Sequence, residues 1–440
     1  MMLKNNEECP HYPQPGDAGS CTHTEIFALI LSLALLAGCQ AVSIVPTPTL
    51  YVASEENPFA AVPPALRTST LDVLFATDRR REETSKLAKS YGTGRSLSLA
   101  FGSAELEIGN DLSWEDVVAE SRTEKRKRSL ALEVKTLLEL GRWPETPIPR
   151  VYEGDKLVDD PAVLAERSRV SEQFCAEVTR RLSLTQKKDV YIIINGFNYD
   201  FERAMSVTAS LWHFLGRQGV AIAYSWPSGS GGMRGYFYDR ESGEFTVHHL
   251  KNFLTTLATC ADVKRVHLIA HSLGTVVVTA ALRELVLKLG QDGALRLKIH
   301  NLVLAAADLD LEVTSQRLAA ERVGAVVKRS TMYFSPKDTI LGFSNWLHKG
   351  NERLGEMEPG DLPPPLVTIL ELHPDVQIID VEREVGSLLH GYFYDNPAVL
   401  SDLILLLRDD RDPGAEYGRP LERRGANYWE IPAGYPEPDS

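Results

Sequence analysis

Residues 266–282 read VHLIAHSLGTVVVTAAL, and the fold is decided there. The first five, Val266 to Ala270, form a short apolar run of the kind that fills a buried strand. From Leu273 to Leu289 the chain is almost wholly apolar and helical in pattern. Between them stands Ala270-His271-Ser272-Leu273-Gly274. A strand that turns abruptly into a helix needs small residues two before and two after the turning serine, because the backbone there is tight and strained. Such a turn lifts the hydroxyl of Ser272 above the sheet edge. The helix start beneath it offers free N–H groups and a positive dipole end, which favour a developing oxyanion. Ser272 is therefore the candidate nucleophile. The competing reading is a serine that merely caps a helix. Ala270 stands where Gly is usual and is small enough to serve.

Working outward, strand and helix patterns alternate. Strands are expected at LDVLFA (71–76), AELEI (104–108), VYIII (190–194), VAIAYSW (220–226), IHNLVLAA (299–306), RSTMYF (329–334) and VQIID (376–380). VYIII is continuously apolar and β-branched, as a strand covered on both faces requires. Helical patterns fall at 245–258, 273–289, 310–323 and 397–408, and one face of the segment after VYIII carries Phe201, Ala204, Met205, Thr208, Leu211, Trp212 and Leu215. The charged stretches 113–140 and 160–182 also read as mostly helical, either an insertion capping the site or peripheral helices. Alternation of this kind predicts an α/β fold, a mostly parallel sheet flanked by helices on both faces.

A serine hydroxyl needs a histidine to take its proton and a carboxylate to orient that histidine. In strand–elbow–helix hydrolases the chain order is serine, acid, histidine. Of His300, His348, His373 and His390, the last follows the final strand and precedes the final helix, where the base belongs. Asp338 follows the strand ending in Phe334 and is the preferred acid. Asp308, after the strand ending in Ala306, is the alternative. The loop Asn195-Gly196-Phe197-Asn198 follows VYIII, and the backbone N–H groups of Phe197 and Leu273 are the candidate oxyanion donors.

Taken in order, several pieces carry a family likeness: Phe75-Ala76-Thr77-Asp78-Arg79, Tyr91-Gly92, Phe101-Gly102, Asn195-Gly196-Phe197-Asn198, Ser225-Trp226-Pro227-Ser228, the serine elbow, Ser335-Pro336-Lys337-Asp338 and His390-Gly391-Tyr392. With them the chain resembles, over roughly residues 70–405, a bacterial esterase/lipase-like branch of the α/β-hydrolase superfamily that is labelled as a domain of unknown function. The resemblance implies a serine hydrolase and leaves the substrate open. The Gly-rich segment 229–235 lacks the Lys-Ser/Thr pair of a P-loop, so a mobile loop near the active-site mouth is expected there.

The N-terminus suggests export. Residues 26–38, IFALILSLALLAG, are too few to span a bilayer comfortably but suit a signal peptide core. Leu36-Ala37-Gly38-Cys39 resembles the lipobox of bacterial lipoproteins, which implies cleavage before Cys39, lipidation of its thiol and, with Gln40 following, outer-membrane sorting. The acidic character of residues 1–25 departs from that pattern. The expected organisation is a signal peptide (1–38), a Pro-rich tether (39–69), a hydrolase domain (70–408) with a helical insertion around 110–188, and a loosely ordered tail (409–440) in which Tyr428 and Trp429 are the residues able to dock. The five cysteines show no metal-site spacing. A net charge of −13 argues against a general nucleic-acid binder. The run Lys125-Arg126-Lys127-Arg128 reads as a solvated face or as a contact for anionic lipid headgroups.

The function expected is carboxylic-ester hydrolysis of a small-molecule or lipid ester, without cofactor or metal, on a protein anchored to the cell envelope. A thioesterase, amidase or acyltransferase would use the same groups. A non-catalytic envelope lipoprotein is the reading from outside the enzymes.

Overall fold

The computed structural model describes residues 42–84, 86–338, 341, 354–355, 364–381 and 390–436. The expected signal segment, Cys39 and His348 lie outside the described residues.

The strands are β1 (Thr70–Arg81), β2 (Tyr91–Ile108), β3 (Leu132–Arg142), β4 (Arg150–Glu153), β5 (Lys156–Asp159), β6 (Asp189–Ile194), β7 (Val220–Tyr224), β8 (Arg265–His271), β9 (Ile299–Ala305), β10 (Arg329–Phe334), β11 (Val376–Asp380), β12 (Glu422–Gly425) and β13 (Tyr428–Glu430). Eleven form one sheet in the order β12-β13-β11-β10-β9-β8-β6-β7-β1-β2-β3, while β4 and β5 make a separate hairpin. Neighbours from β1 through β13 in the middle of that order pair in parallel, and β2, β3 and β12 add antiparallel edges. This is the mostly parallel, helix-flanked sheet that the alternation of strands and helices predicts. Each strand expected from 189 to 380 forms, because residues such as Ile192, Ile222, Leu268 and Val303 are buried on the two covered faces.

Helices Pro161–Ser183, Gly232–Thr259 and Leu273–Leu295 pack on one face; Phe201–Phe214 and Pro397–Leu407 pack on the other. In Pro161–Ser183 the residues Val170, Phe174, Val178 and Leu182 recur every four positions and are all buried. Each such side chain contributes roughly 1.5–3 kcal/mol of transfer free energy on burial.

Four expectations need correction. Residues 132–142 form an edge strand rather than a helix. Leu132 and Val134 point inward while Glu133 and Lys135 point out, a period-2 pattern that pairing with β2 selects over the helical one. The insertion around 110–188 is thus only partly helical: a short helix (Trp114–Glu120), β3, the β4–β5 hairpin, and a long helix packed on the sheet. Residues 42–69 are not a free tether. Ile44, Val45, Tyr51, Phe59 and Val62 are buried in the core, and Tyr51 donates its hydroxyl to the Phe214 carbonyl. Arg126 belongs to this contact, since it donates to the carbonyls of Ile44 and Val45 at 2.9 and 2.6 Å. The basic run is therefore partly a clamp on the entering chain.

The segment 409–436 is not loose either. β13 pairs in parallel with β11, and Tyr428, Trp429, Ile431 and Tyr435 are buried. Arg419 is fully buried and donates twice to Asp402, at 2.8 and 2.7 Å, where the hydroxyls of Tyr333 and Tyr435 also converge. A buried arginine of this kind is tolerated only when paired and hydrogen-bonded throughout. Finally, Cys175 and Cys260 form a disulfide, which ties the helix Pro161–Ser183 to the end of Gly232–Thr259.

Candidate functional site

β8 ends at His271 and the helix Leu273–Leu295 begins two residues later, so Ser272 is the whole turn. Its backbone angles are φ 52°, ψ −126°. A residue with a Cβ adopts such angles only when its surroundings enforce them, at a cost of about 1–3 kcal/mol. Two glycines permit it. A Cβ on Gly274 would lie 2.5 Å from the Asn195 carbonyl oxygen, and one on Gly196 would lie 2.7 Å from the Cβ of Ser272. The Ser272 N–H donates to the Ala305 carbonyl at 2.9 Å, which fastens the elbow to β9. The Ser272 hydroxyl makes no capping bond to the helix below it. A cap would need that bond, so the capping reading loses its support.

Asp338 follows β10 and His390 follows β11. The His390 Nδ1–H donates to Asp338 Oδ2 at 2.7 Å, and the Asp338 side chain is wholly buried. The other carboxylate oxygen, Oδ1, accepts the Leu341 N–H at 3.1 Å. His390 Nε2 is buried and without a hydrogen-bond partner among the described residues. Asp308 goes elsewhere: its Oδ2 accepts the Tyr236 hydroxyl at 2.8 Å, and the Tyr236 ring packs edge-on against Phe197. The structure thus brings Asp338, not Asp308, to His390. Of the other histidines, His300 bonds Asp410 at 3.0 Å, and the His373 N–H closes the end of the helix Pro364–Leu372.

His271 stands just before Ser272, and nothing in the sequence pattern marks its role. Its Nε2–H donates to the His390 carbonyl at 2.9 Å, and its ring stacks on Phe393. Burial pushes its pKa well below the ordinary histidine range, and the neighbouring His390 adds to the effect. His271 therefore stays neutral and serves as a brace rather than a base.

Gly196 brings the loop after β6 against Ser272. Phe197 is the next residue, and Leu273 is the first of the helix. Both backbone N–H groups thus belong to segments touching Ser272. Arg79 closes the Phe75-Ala76-Thr77-Asp78-Arg79 piece, and its role is likewise unmarked in the sequence. It is fully buried and gathers the other pieces: it donates to Ser225 Oγ (2.8 Å), the Ser228 carbonyl (2.7 Å), the Gly92 carbonyl (3.1 Å) and the Tyr199 carbonyl (2.8 Å). Burial lowers its pKa to about 10, so it remains charged near neutral pH. The Gly-rich segment is not simply a mobile loop. A helix starts at Gly232, and the N–H groups of Gly229 and Ser230 are already taken by the Asp239 carboxylate. An internal anion fills the place a phosphate would need. Among the described residues, no group of three or more His, Cys, Asp or Glu side chains is placed to hold a metal ion.

A family model described as "Alpha/beta hydrolase of unknown function (DUF900)" matches residues 170–408, more than half of the chain. The match takes in the loop 195–198, the elbow at Ser272, Asp338 and His390. No curated protein matches the chain.

Proposed function

We propose that this chain, which belongs to the family of alpha/beta hydrolases of unknown function, is a serine hydrolase acting on carboxylic esters through Ser272, His390 and Asp338. The observation that carries this reading is the 2.7 Å bond from His390 Nδ1 to Asp338 Oδ2, made beyond the same strand ends as the strained Ser272. That bond fixes the imidazole tautomer with its lone pair on Nε2, the state a base requires.

In the proposed reaction, Ser272 Oγ bonds to the ester carbonyl carbon while its proton passes to His390 Nε2. Asp338 stabilises the imidazolium so formed. The carbonyl electron pair moves onto oxygen, and the N–H groups of Phe197 and Leu273 receive that charge. When the tetrahedral adduct collapses, the C–O bond to the alcohol breaks and the alcohol leaves with the proton from His390. Water then attacks the acyl-serine by the same route and releases the acid. Each oxyanion donor typically contributes about 10²–10³ in turnover.

Nothing in this apparatus separates an ester from a thioester or amide, or water from another acyl acceptor. A series of p-nitrophenyl esters of rising chain length, run beside thioester and anilide analogues, distinguishes these. Ester turnover should exceed the others. Turnover of the thioester or anilide alone would transfer the reading to that class.

The proposal includes a place in the cell. The Leu36-Ala37-Gly38-Cys39 sequence supports lipid anchoring at Cys39. The Cys175–Cys260 disulfide supports export, the first step of that route, because such bonds persist mainly in oxidising compartments outside the cytoplasm. Cys39→Ser should release the protein from membranes. Wild-type protein recovered soluble and uncleaved contradicts the anchoring.

A further inference from the structure

We propose that Asp239 is a positioning residue for the oxyanion hole, its carboxylate holding the loop that presents the Phe197 N–H to the substrate. This rests on the serine-hydrolase reading above and adds a residue to it.

Asp239 lies inside the helix Gly232–Thr259, in its third turn, and its side chain is fully buried. It does not cap its own helix. Oδ2 accepts the N–H of Asn198 at 3.1 Å and of Gly229 at 3.0 Å, while Oδ1 accepts the N–H of Ser230 at 3.4 Å. These donors come from two loops, one after β6 and one after β7. A single carboxylate therefore ties the oxyanion loop to its neighbour.

The next carbonyl is held by the opposite charge. The Tyr199 oxygen accepts from Arg79 Nη2 at 2.8 Å and from Ser228 Oγ at 2.9 Å. Asn198 is thus anchored through its own N–H, and the residue after it through its C=O. Asn198 needs this, because its φ is 55°, a left-handed conformation that residues other than glycine adopt only under constraint. The Asn198 N–H lies in the Phe197–Asn198 peptide, so Asp239 holds the plane on one side of Phe197, while the Phe197 N–H lies in the plane on the other side, shared with Gly196. Gly196 in turn abuts Ser272. The loop is pinned at both ends with one N–H between them.

The burial of Asp239 pushes its pKa upward, while the N–H groups of Gly229, Asn198 and Ser230 act to lower it. What the oxyanion loop requires is an acceptor at this place, and an amide carbonyl can replace the carboxylate oxygen that serves Asn198 and Gly229, losing only the longest of the three bonds, that from the Ser230 N–H in the other loop. This requirement separates positioning from a general need for charge.

The test uses the full chain and three variants, with kcat and KM on a p-nitrophenyl ester, inhibition by a trifluoromethyl ketone, and Tm. Asp239→Ala should lower kcat by roughly 10- to 100-fold, with KM within about threefold, because a misaligned donor loses part of the 10²–10³ that a donor supplies. Trifluoromethyl ketone affinity should fall by the same factor as kcat. Asp239→Asn should stay within about threefold of wild type in both. Folded Asp239→Ala with wild-type kcat overturns the proposal, and so does folded Asp239→Asn as impaired as Asp239→Ala. Where Asp239→Ala does not fold, Asp239→Glu is read instead. It keeps the charge but displaces the carboxylate by one methylene, so the same loss of kcat is expected and wild-type kcat overturns the proposal. Wild type that neither turns over the ester nor reacts with a fluorophosphonate sinks the hydrolase reading itself, and this proposal with it. An active wild type with an unimpaired Asp239→Glu sinks this inference alone.

Discussion

Asp338→Asn should almost abolish turnover while leaving the fold intact. Asp338 Oδ1 accepts the Leu341 N–H at 3.1 Å, and Oδ2 accepts the His390 Nδ1–H at 2.7 Å. An amide keeps only one of these acceptors. If its carbonyl stays with the Leu341 N–H, its NH₂ faces His390 Nδ1. Nδ1 must then give up its proton and accept, which moves the proton to Nε2. His390 in that tautomer has no lone pair for the Ser272 proton. The comparable carboxylate-to-amide change in a serine protease costs about 10⁴ in kcat. At about 1.4 kcal/mol per tenfold, that is roughly 5.5 kcal/mol of lost transition-state stabilisation. The assay is kcat on a p-nitrophenyl ester, with Tm as the control for folding. Asp308→Asn is the companion variant. Its carbonyl can still accept the Tyr236 hydroxyl, now at 2.8 Å from Asp308, so kcat should stay within about tenfold of wild type. A folded Asp338→Asn enzyme with near wild-type kcat refutes the reasoning, all the more if Asp308→Asn is the inactive one.

Other expectations concern stability. Arg419→Met should destabilise the protein by about 3–5 kcal/mol in urea unfolding, since it strands the Asp402 carboxylate in the interior; a loss under 1 kcal/mol would mean that residues 409–436 contribute little to the folded domain. Replacing both cysteines of the Cys175–Cys260 bond by serine should cost about 2–4 kcal/mol, because the bond closes a loop spanning 85 residues of sequence separation; unchanged stability under oxidising conditions would show that the bond does not form. His213, His267 and His271 all have pKa values lowered by burial. Groups of this kind refuse protons in the folded state that they accept when unfolded near pH 6.5. Their stability contribution is therefore complete above pH 6.5 and is lost as pH falls below it, at up to about 1.4 kcal/mol per pH unit for each. Unfolding free energy measured at pH 7.5 and 5.5 should fall accordingly, and a flat profile contradicts the burial of these rings.

What the sequence disclosed was local. The elbow is readable because Ala270, Ser272 and Gly274 lie within five residues of one another, and the strain at Ser272 follows from a turn that short. The central strands are readable because residues covered on both faces need no alternation. Asp338 and Asp308 look alike in sequence, since each follows a strand; only the return of the chain to His390, 52 residues beyond Asp338, separates them. β3 was unreadable because the leucines of 132–140 fit a helical stripe as well as an edge strand, and pairing with β2 decides between the two. The C-terminal segment shows no periodicity because β12 and β13 are only four and three residues long, and its one legible signal, the pair Tyr428 and Trp429, is the part that docks. Its order comes from Arg419 meeting Asp402 and from β13 lying beside β11. Arg79 and Asp239 illustrate the same point, since each acts by gathering backbone groups from several loops.

The central claim is that Ser272 is a nucleophile activated by its surroundings, and fluorophosphonate labelling of the folded protein tests it most directly. Wild type should label stoichiometrically at Ser272, identified by peptide mass, and Ser272→Ala should not label. Folded wild type that remains unlabelled, or a label found on another residue and retained in Ser272→Ala, would contradict the account.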